Sequence, residues 1–408
     1  KYHDFHNEYD AEYAQTHSNI HHQISIEEKS RMLIADSLEY HSREQKSQWW
    51  RFFSKESFDE IEILEDMECI GDLKKTQTKD TVDQSLQEFI YPPQEFKLKE
   101  GNTVCNIKGL STIGTIDHID IQDNKILIKS SSTLPDHLSI TSGGPPGTKN
   151  LRAAIYRFAQ SCIYQEEKYQ CLFQLISKEK PRFLNEYKLS GLNKENIIDE
   201  IKKVIENLDR SYLFIQGPPG TGKTYITAHA IIHLLRQRKK IAVTSNSHKA
   251  INNVLEWVDR IAEENNFSFD GLKKFSYSSK ESKYVSSNIS AKTSVKSLPE
   301  DLDLFAATGF ELSKELYDQE FDYLFIDEAG QQSIPDVISS GTSCKNLILI
   351  GDPRQLGRPS DITHPGESGL SALDYILGDF NTVPQDSGVF LAVTRRMRSE
   401  IVPFISDN

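Results

Sequence analysis

The chain has 408 residues and a mass of 46.5 kDa, too long for one ordinary domain, so two or three are expected. Its 47 basic and 60 acidic side chains leave a net charge of −13, which if evenly spread would argue against a polyanionic partner; yet residues 1–100 hold 22 acidic and 12 basic residues, so −10 of the total lies in the first quarter. Hydrophobic residues make up 37% of the chain, enough for real cores, and no apolar run nears the roughly 20 residues that cross a bilayer, which excludes a membrane-spanning helix.

Five cysteines, Cys69, Cys105, Cys162, Cys171 and Cys344, are odd in number and lack a C-x-x-C pair. Free thiols in a reducing compartment are therefore expected, rather than zinc ligands or disulfides. Lys1 to Glu12 is polar and charged, unlike a signal peptide, and a cytoplasmic location follows. The chain opens on Lys rather than Met, which reads as a piece of a longer protein.

Residues 1–90 read as an acidic helical region, since no Gly precedes Gly71 and no Pro precedes Pro92. Ile34, Leu38, Trp49, Phe52 and Phe53 fall near one face between Glu27 and Ser54, predicting a long amphipathic helix. His3, His6, His17, His21 and His22 share no metal-ligand spacing and read as surface histidines. After Pro92-Pro93 the period changes. Ile116, Ile119 and Ile121, then Ile126 and Ile128, flank Asp123-Asn124 as hairpin strands would, so residues 91–135 read as a small β-barrel. Residues 136–208 read as a loop followed by helices. The loop carries Gly144-Pro-Pro-Gly-Thr-Lys149, which mimics a phosphate loop but lacks the second Gly before Lys and a leading strand.

From 209 to 392 the apolar runs Tyr212–Ile215, Ile241–Thr244, Leu304–Ala307, Tyr323–Ile326 and Leu347–Ile350 alternate with longer, partly helical stretches. Fully buried parallel strands read this way, giving an α/β doubly wound parallel sheet whose ligands bind at the carboxyl ends of the strands. The motifs lie there. Gly217, Pro218, Pro219, Gly220, Thr221, Gly222, Lys223 and Thr224 match G-x-x-x-x-G-K-S/T between a predicted strand and a predicted helix. Such a loop converges backbone N–H groups on phosphate oxygens, with Lys223 reaching the β and γ phosphates and the Thr224 hydroxyl coordinating Mg²⁺. Asp327-Glu328 ends the Tyr323–Ile326 strand, where Asp327 can hold the metal and Glu328 can orient and deprotonate an attacking water. Gln355, in Gly351-Asp-Pro-Arg-Gln-Leu356, is set to sense the γ-phosphate or that water.

Taken in series, Gly217–Thr224, Asp327-Glu328-Ala-Gly-Gln331 and Gly351–Leu356 resemble motifs I, II and III of superfamily 1 helicases, and GPPGTGKT resembles their 1B branch. Val243–Ala250 is similar to motif Ia, which implies that Ser247, His248 and Lys249 line a nucleic-acid path, with Thr308 placed beside them. Thr394–Arg398 looks like the motif whose arginine, here Arg396, reaches the γ-phosphate from a second RecA-like domain. The resemblance implies a P-loop RecA-like motor domain over 209–392, a second begun at 393–408, and ATP and Mg²⁺ as cofactors. Its partner would be single-stranded DNA or RNA, moved 5′ to 3′. Glu39–Lys46 with Trp49-Trp50, Ser211–Gln216 and Thr244–Asn253 further resemble prokaryotic fusions of a RecB-like nuclease to such a helicase.

Between motifs Ia and II, residues 266–300 read as a basic insertion. Lys273, Lys274, Lys280, Lys283, Lys292 and Lys296 against Glu281 give +5, interleaved with Phe275, Tyr277 and Tyr284, the composition of a single-strand-binding surface. Two alternatives stand beside the helicase: an AAA-type ATPase that remodels protein partners, since GPPGTGKT occurs there too, and a fragment that binds nucleic acid or protein without turnover.

Overall fold

The computed structural model describes residues 26–80, 85–189, 196–276, 282–355, 357, 360 and 362–393. Arg396, Lys280, Tyr277 and the five amino-terminal histidines lie outside them.

The expected long helix is two helices, α1 (Ile26–Leu38) and α2 (Tyr40–Ser54), parted at Glu39, whose φ of −103° and ψ of 5° interrupt the helical bonding. Each has its own packing partner. Leu33 and Ile34 of α1 join the motor core, while Phe52 of α2 is buried near the barrel end and Trp50 and Phe53 remain exposed. A short helix α3 (Glu60–Glu65), closed by an Asp59/Glu62 capping box, leads into the barrel.

That barrel is larger than 91–135. Its strands are β1 (Cys69–Asp80), β2 (Ser85–Ile90), β3 (Thr103–Asn106), β4 (Thr112–Asp120), β5 (Lys125–Ser130) and β6 (His137–Ser142), closed in the order β1-β2-β5-β4-β3-β6 with antiparallel pairs throughout. Sequence patterning missed β1 because Lys75 turns inward over the Phe89 ring while its neighbours Asp72 and Lys74 are exposed, and bulges interrupt the alternation. The predicted turn is present, with Asn124 in the left-handed region at φ 52° between β4 and β5. Lys55 staples α2 to the barrel: it is 1% exposed, with Nζ 2.5 Å from Glu68 Oε2 and 3.1 Å from Thr141 Oγ1.

Helices α4 (Lys149–Ile163), α5 (Gln170–Ile176) and α6 (Ile197–Glu206) precede the α/β domain. Its eight strands are β7 (Tyr212–Gln216), β8 (Ile241–Thr244), β9 (Gly271–Lys274), β10 (Ile289–Lys292), β11 (Leu304–Ala306), β12 (Phe321–Ile326), β13 (Cys344–Gly351) and β14 (Gly388–Phe390). They lie in the order β10-β9-β11-β8-β12-β13-β7-β14, every neighbouring pair parallel. The five predicted strands are there, and β9, β10 and β14 are additional. Two of the three lie inside the stretch read as a basic insertion, whose lysines hid the short apolar core of each strand. β7, β8 and β11 are buried at every residue, as strands covered on both faces must be. α6, α7 (Lys223–Arg236) and α8 (His248–Glu264) pack one face; α1, α4, α5, α10 (Ile334–Gly341) and α11 (Ala372–Leu377) pack the other. Side chains such as Phe158 and Phe305 are fully enclosed there, each stabilising the fold by roughly 1.5–3 kcal/mol.

Candidate active site

The site is assembled where β7, β12 and β13 end. Gly217 N donates to Gly351 O at 3.0 Å, joining the phosphate loop to the end of β13. The loop then turns through Gly220 (φ 82°) and Gly222 (φ 84°), conformations that glycine adopts without strain. Gly222 caps α7, so Lys223 and Thr224 are its first two residues and the loop leads into the positive end of a 14-residue helix. A Cβ on Gly217 would stand 2.6 Å from Thr221 Oγ1 and 2.8 Å from Lys223 Cγ. The Lys223 ammonium donates to Gly217 O at 2.5 Å and Pro218 O at 3.3 Å, holding the loop closed on itself.

Asp327 is 6% exposed, and burial first, then the Glu328 charge, push its carboxyl up to about 6 while Lys223 pulls the other way. The buried Asp327 carboxylate and the half-buried Thr224 hydroxyl in the loop's helix are hard oxygen donors of the kind that could hold Mg²⁺. Glu328 sits in the left-handed region at φ 56° and ψ 38°, at a backbone cost for a non-glycine residue. Two glycines bring the second and third motifs together. A Cβ on Gly330 would meet Asp352 O at 2.9 Å, and one on Gly351 would meet Leu373 Cδ1 at 2.7 Å. Asp352 is buried, its Oδ1 accepting from Arg354 N at 3.0 Å, and Gln355 N donates to Asp352 O at 3.2 Å, which shapes the turn that carries Gln355.

The residues assigned to the nucleic-acid path behave differently from one another. The Ser247 hydroxyl accepts from Ala250 N at 3.1 Å, so it serves as the cap of α8. Lys249 is exposed. Thr308 caps α9 (Gly309–Leu312) without using its hydroxyl. His248 is pushed down to about 4 by burial and then by Lys273 and Lys274, which leaves it neutral near pH 7.

Lys273 corrects the reading of the basic segment. It is 0% exposed within β9, its Nζ 3.3 Å from His248 Nδ1, and burial followed by Lys274 pushes it down to about 7. β9 is sandwiched between β10 and β11, so its side chains enter packed layers. Lys274 is 3.7 Å from Glu311, and the Tyr284 hydroxyl donates to Asp259 at 2.7 Å. Lys283, Lys292 and Lys296 remain exposed. Glu166 and Glu167 are exposed, and Lys168 pairs with Asp318 at 2.5 Å.

Sequence reasoning missed one link: the Asn246 amide donates to Gln331 Oε1, tying the loop after β8 to the turn after Glu328. Both residues stand inside motif-like stretches, but no spacing rule pairs them.

Residues 200–359 match a family model described as an AAA domain. Over 181 residues the chain is 30% identical to the DNA replication ATP-dependent helicase/nuclease DNA2 of Saccharomyces cerevisiae, covering 42% of this chain and 11% of that protein. It is 26% identical over 231 residues to the helicase/nuclease JHS1 of Arabidopsis thaliana, covering 53% and 17%. It is 27% identical over 205 residues to the Regulator of nonsense transcripts 1 homolog of Neurospora crassa, covering 39% and 18%. Among solved structures, the arterivirus nonstructural protein 10 helicase with DNA aligns at 12% identity and a TM-score of 0.37, over 76% of this chain and 52% of that one. The chain thus spans 11–17% of the length of the first two of these relatives.

Proposed function

We propose that the chain, with its AAA-domain match and its likeness to DNA replication helicase/nucleases, is the ATP-binding part of a superfamily 1 motor that moves along single-stranded DNA. The observation that supports this reading best is the junction of Gly217, Gly330 and Gly351, which brings phosphate loop, acidic pair and sensing turn to one strand edge. The relatives named for helicase activity disfavour an AAA-type remodeller of proteins. DNA is preferred to RNA because DNA2 and JHS1 are both named for DNA replication. The same names join helicase to nuclease, and we propose that this chain works alongside a nuclease.

In this mechanism the triphosphate enters over the amino terminus of α7. The Lys223 ammonium exchanges its bonds to Gly217 O and Pro218 O for oxygens of the β and γ phosphates. Thr224 and Asp327 would hold Mg²⁺, which supplies neutralisation of phosphate charge. Glu328 orients the water and takes its proton as the oxygen attacks the γ-phosphorus and the bond to the β–γ bridging oxygen breaks. Gln355 senses the γ-phosphate, and Arg396 would complete the charge clamp from the second motor domain. Through Gln331 and Asn246 the state of the Glu328 turn reaches the loop that leads to Ser247, His248 and Lys249, where strand phosphates would lie.

Glu328→Gln should keep nucleotide binding and lower DNA-stimulated ATP turnover by about 10²–10⁴-fold. Undiminished turnover would sink the assignment.

A further inference from the structure

Beside the amino terminus of α8 lies a cleft of about 520 Å³ whose walls include no residue of the phosphate loop. The motor contributes Asn246, Thr308, Phe310 and Gln331. The opposite wall is Gln45 and Gln48 of α2, with Pro146 from the Gly/Pro loop. That loop, the sequence mimic of a phosphate loop, is built to fit here. A Cβ on Gly144 would meet the Trp49 ring at 2.9 Å, and the Gln45 amide donates to Pro146 O.

The lining chemistry selects a ligand class. Among the described residues no lysine or arginine lines the cleft, and the carboxylates Glu44 and Asp336 are held by His364 at 2.6 Å and His41 at 3.0 Å. A phosphate would find no lysine or arginine among the described residues there. What remains is polar: the exposed Gln48, the Thr308 hydroxyl that does not cap its helix, and the Nδ1 of His41, which is 5% exposed and unpartnered among the described residues. Phe310 adds a half-buried ring. A flat group with donors and acceptors on its edge satisfies these features, as an unstacked nucleobase does on aromatic and amide side chains. The volume falls in the range of small-molecule sites and exceeds that of one base.

We propose that this cleft takes one unstacked base of the bound strand. Its phosphates pass along Ser247–Lys249, so that α2 and the Gly/Pro loop grip the strand by its bases while the motor grips it by its backbone. The inference rests on the nucleic-acid reading above. It also gives the Asn246–Gln331 bond a position where a seated base touches the joint between the strand path and the Glu328 turn.

The test uses the full 408-residue chain with a fluorescein-labelled oligothymidylate and an oligomer of equal length made of abasic sugar phosphates. The wild type should bind the oligothymidylate at least about tenfold more tightly. Phe310→Ala with Gln48→Ala should bring that ratio close to one without changing affinity for the abasic oligomer. Gln48→Ala alone, at an exposed position where folding is not at stake, should lower the ratio about twofold or more. An unchanged ratio in both variants, or equal weakening for both oligomers, overturns the inference alone. A wild type that binds neither oligomer overturns the nucleic-acid reading, and this inference with it.

Discussion

Lys223 and Lys273 occupy mirrored places in one sheet: Lys223 follows β7, one strand in from one edge, and Lys273 lies in β9, one strand in from the other. Lys223 is half-buried at a helix amino terminus, its ammonium held by carbonyls that a phosphate can displace. Lys273 is wholly enclosed beside a neutral histidine, and its own charge is suppressed. The contrast shows how one residue type is placed in two ways. Glycines that admit no Cβ force the first lysine onto a space defined by backbone, whereas the second obeys strand geometry and goes where β9 points it.

The largest effect expected from breaking the first arrangement comes from Gly217→Ala. Its methyl group would collide with Thr221 and Lys223, and overpacking of about 1–3 kcal/mol should lower nucleotide affinity about 10- to 100-fold in a titration with a fluorescent ATP analogue. The second arrangement breaks in the opposite sense. The Lys273 ammonium keeps its proton to about 10.5 in the unfolded chain and only to about 7 when folded. Between those values the unfolded state binds more protons, so stability should rise with pH across this window and fall as pH drops towards 7. Lys273→Met should flatten that rise and stabilise the protein near pH 7 by about 1 kcal/mol or more, read by urea unfolding at pH 7 and pH 9. The smallest effect sharpens the contrast. Lys249→Ala should reduce the salt slope of single-strand affinity by about 1, and Lys273→Met should leave that slope unaltered.

The phosphate loop, the acidic pair and the five principal strands were legible because each is local: a glycine spacing, two carboxylates after an apolar run, a run buried on both faces. β1 was not, since a barrel strand that turns a lysine inward and carries bulges has no clean alternation. The basic segment misled because net charge counts lysines without saying which are enclosed; only the pairing of β9 with β10 and β11 shows Lys273 to be inside. Nor could sequence connect α2 to the motor. The stacking of Tyr40 on His364 at 4.1 Å and the His41–Asp336 bond join positions about 300 residues apart, beyond any periodicity.

Equilibrium titration of the 408-residue chain with a fluorescent ATP analogue and Mg²⁺, beside Lys223→Ala, tests the nucleotide site most directly. The account predicts saturable binding by the wild type that Lys223→Ala weakens by about tenfold or more. Equal binding by both proteins, or none by the wild type, would contradict it.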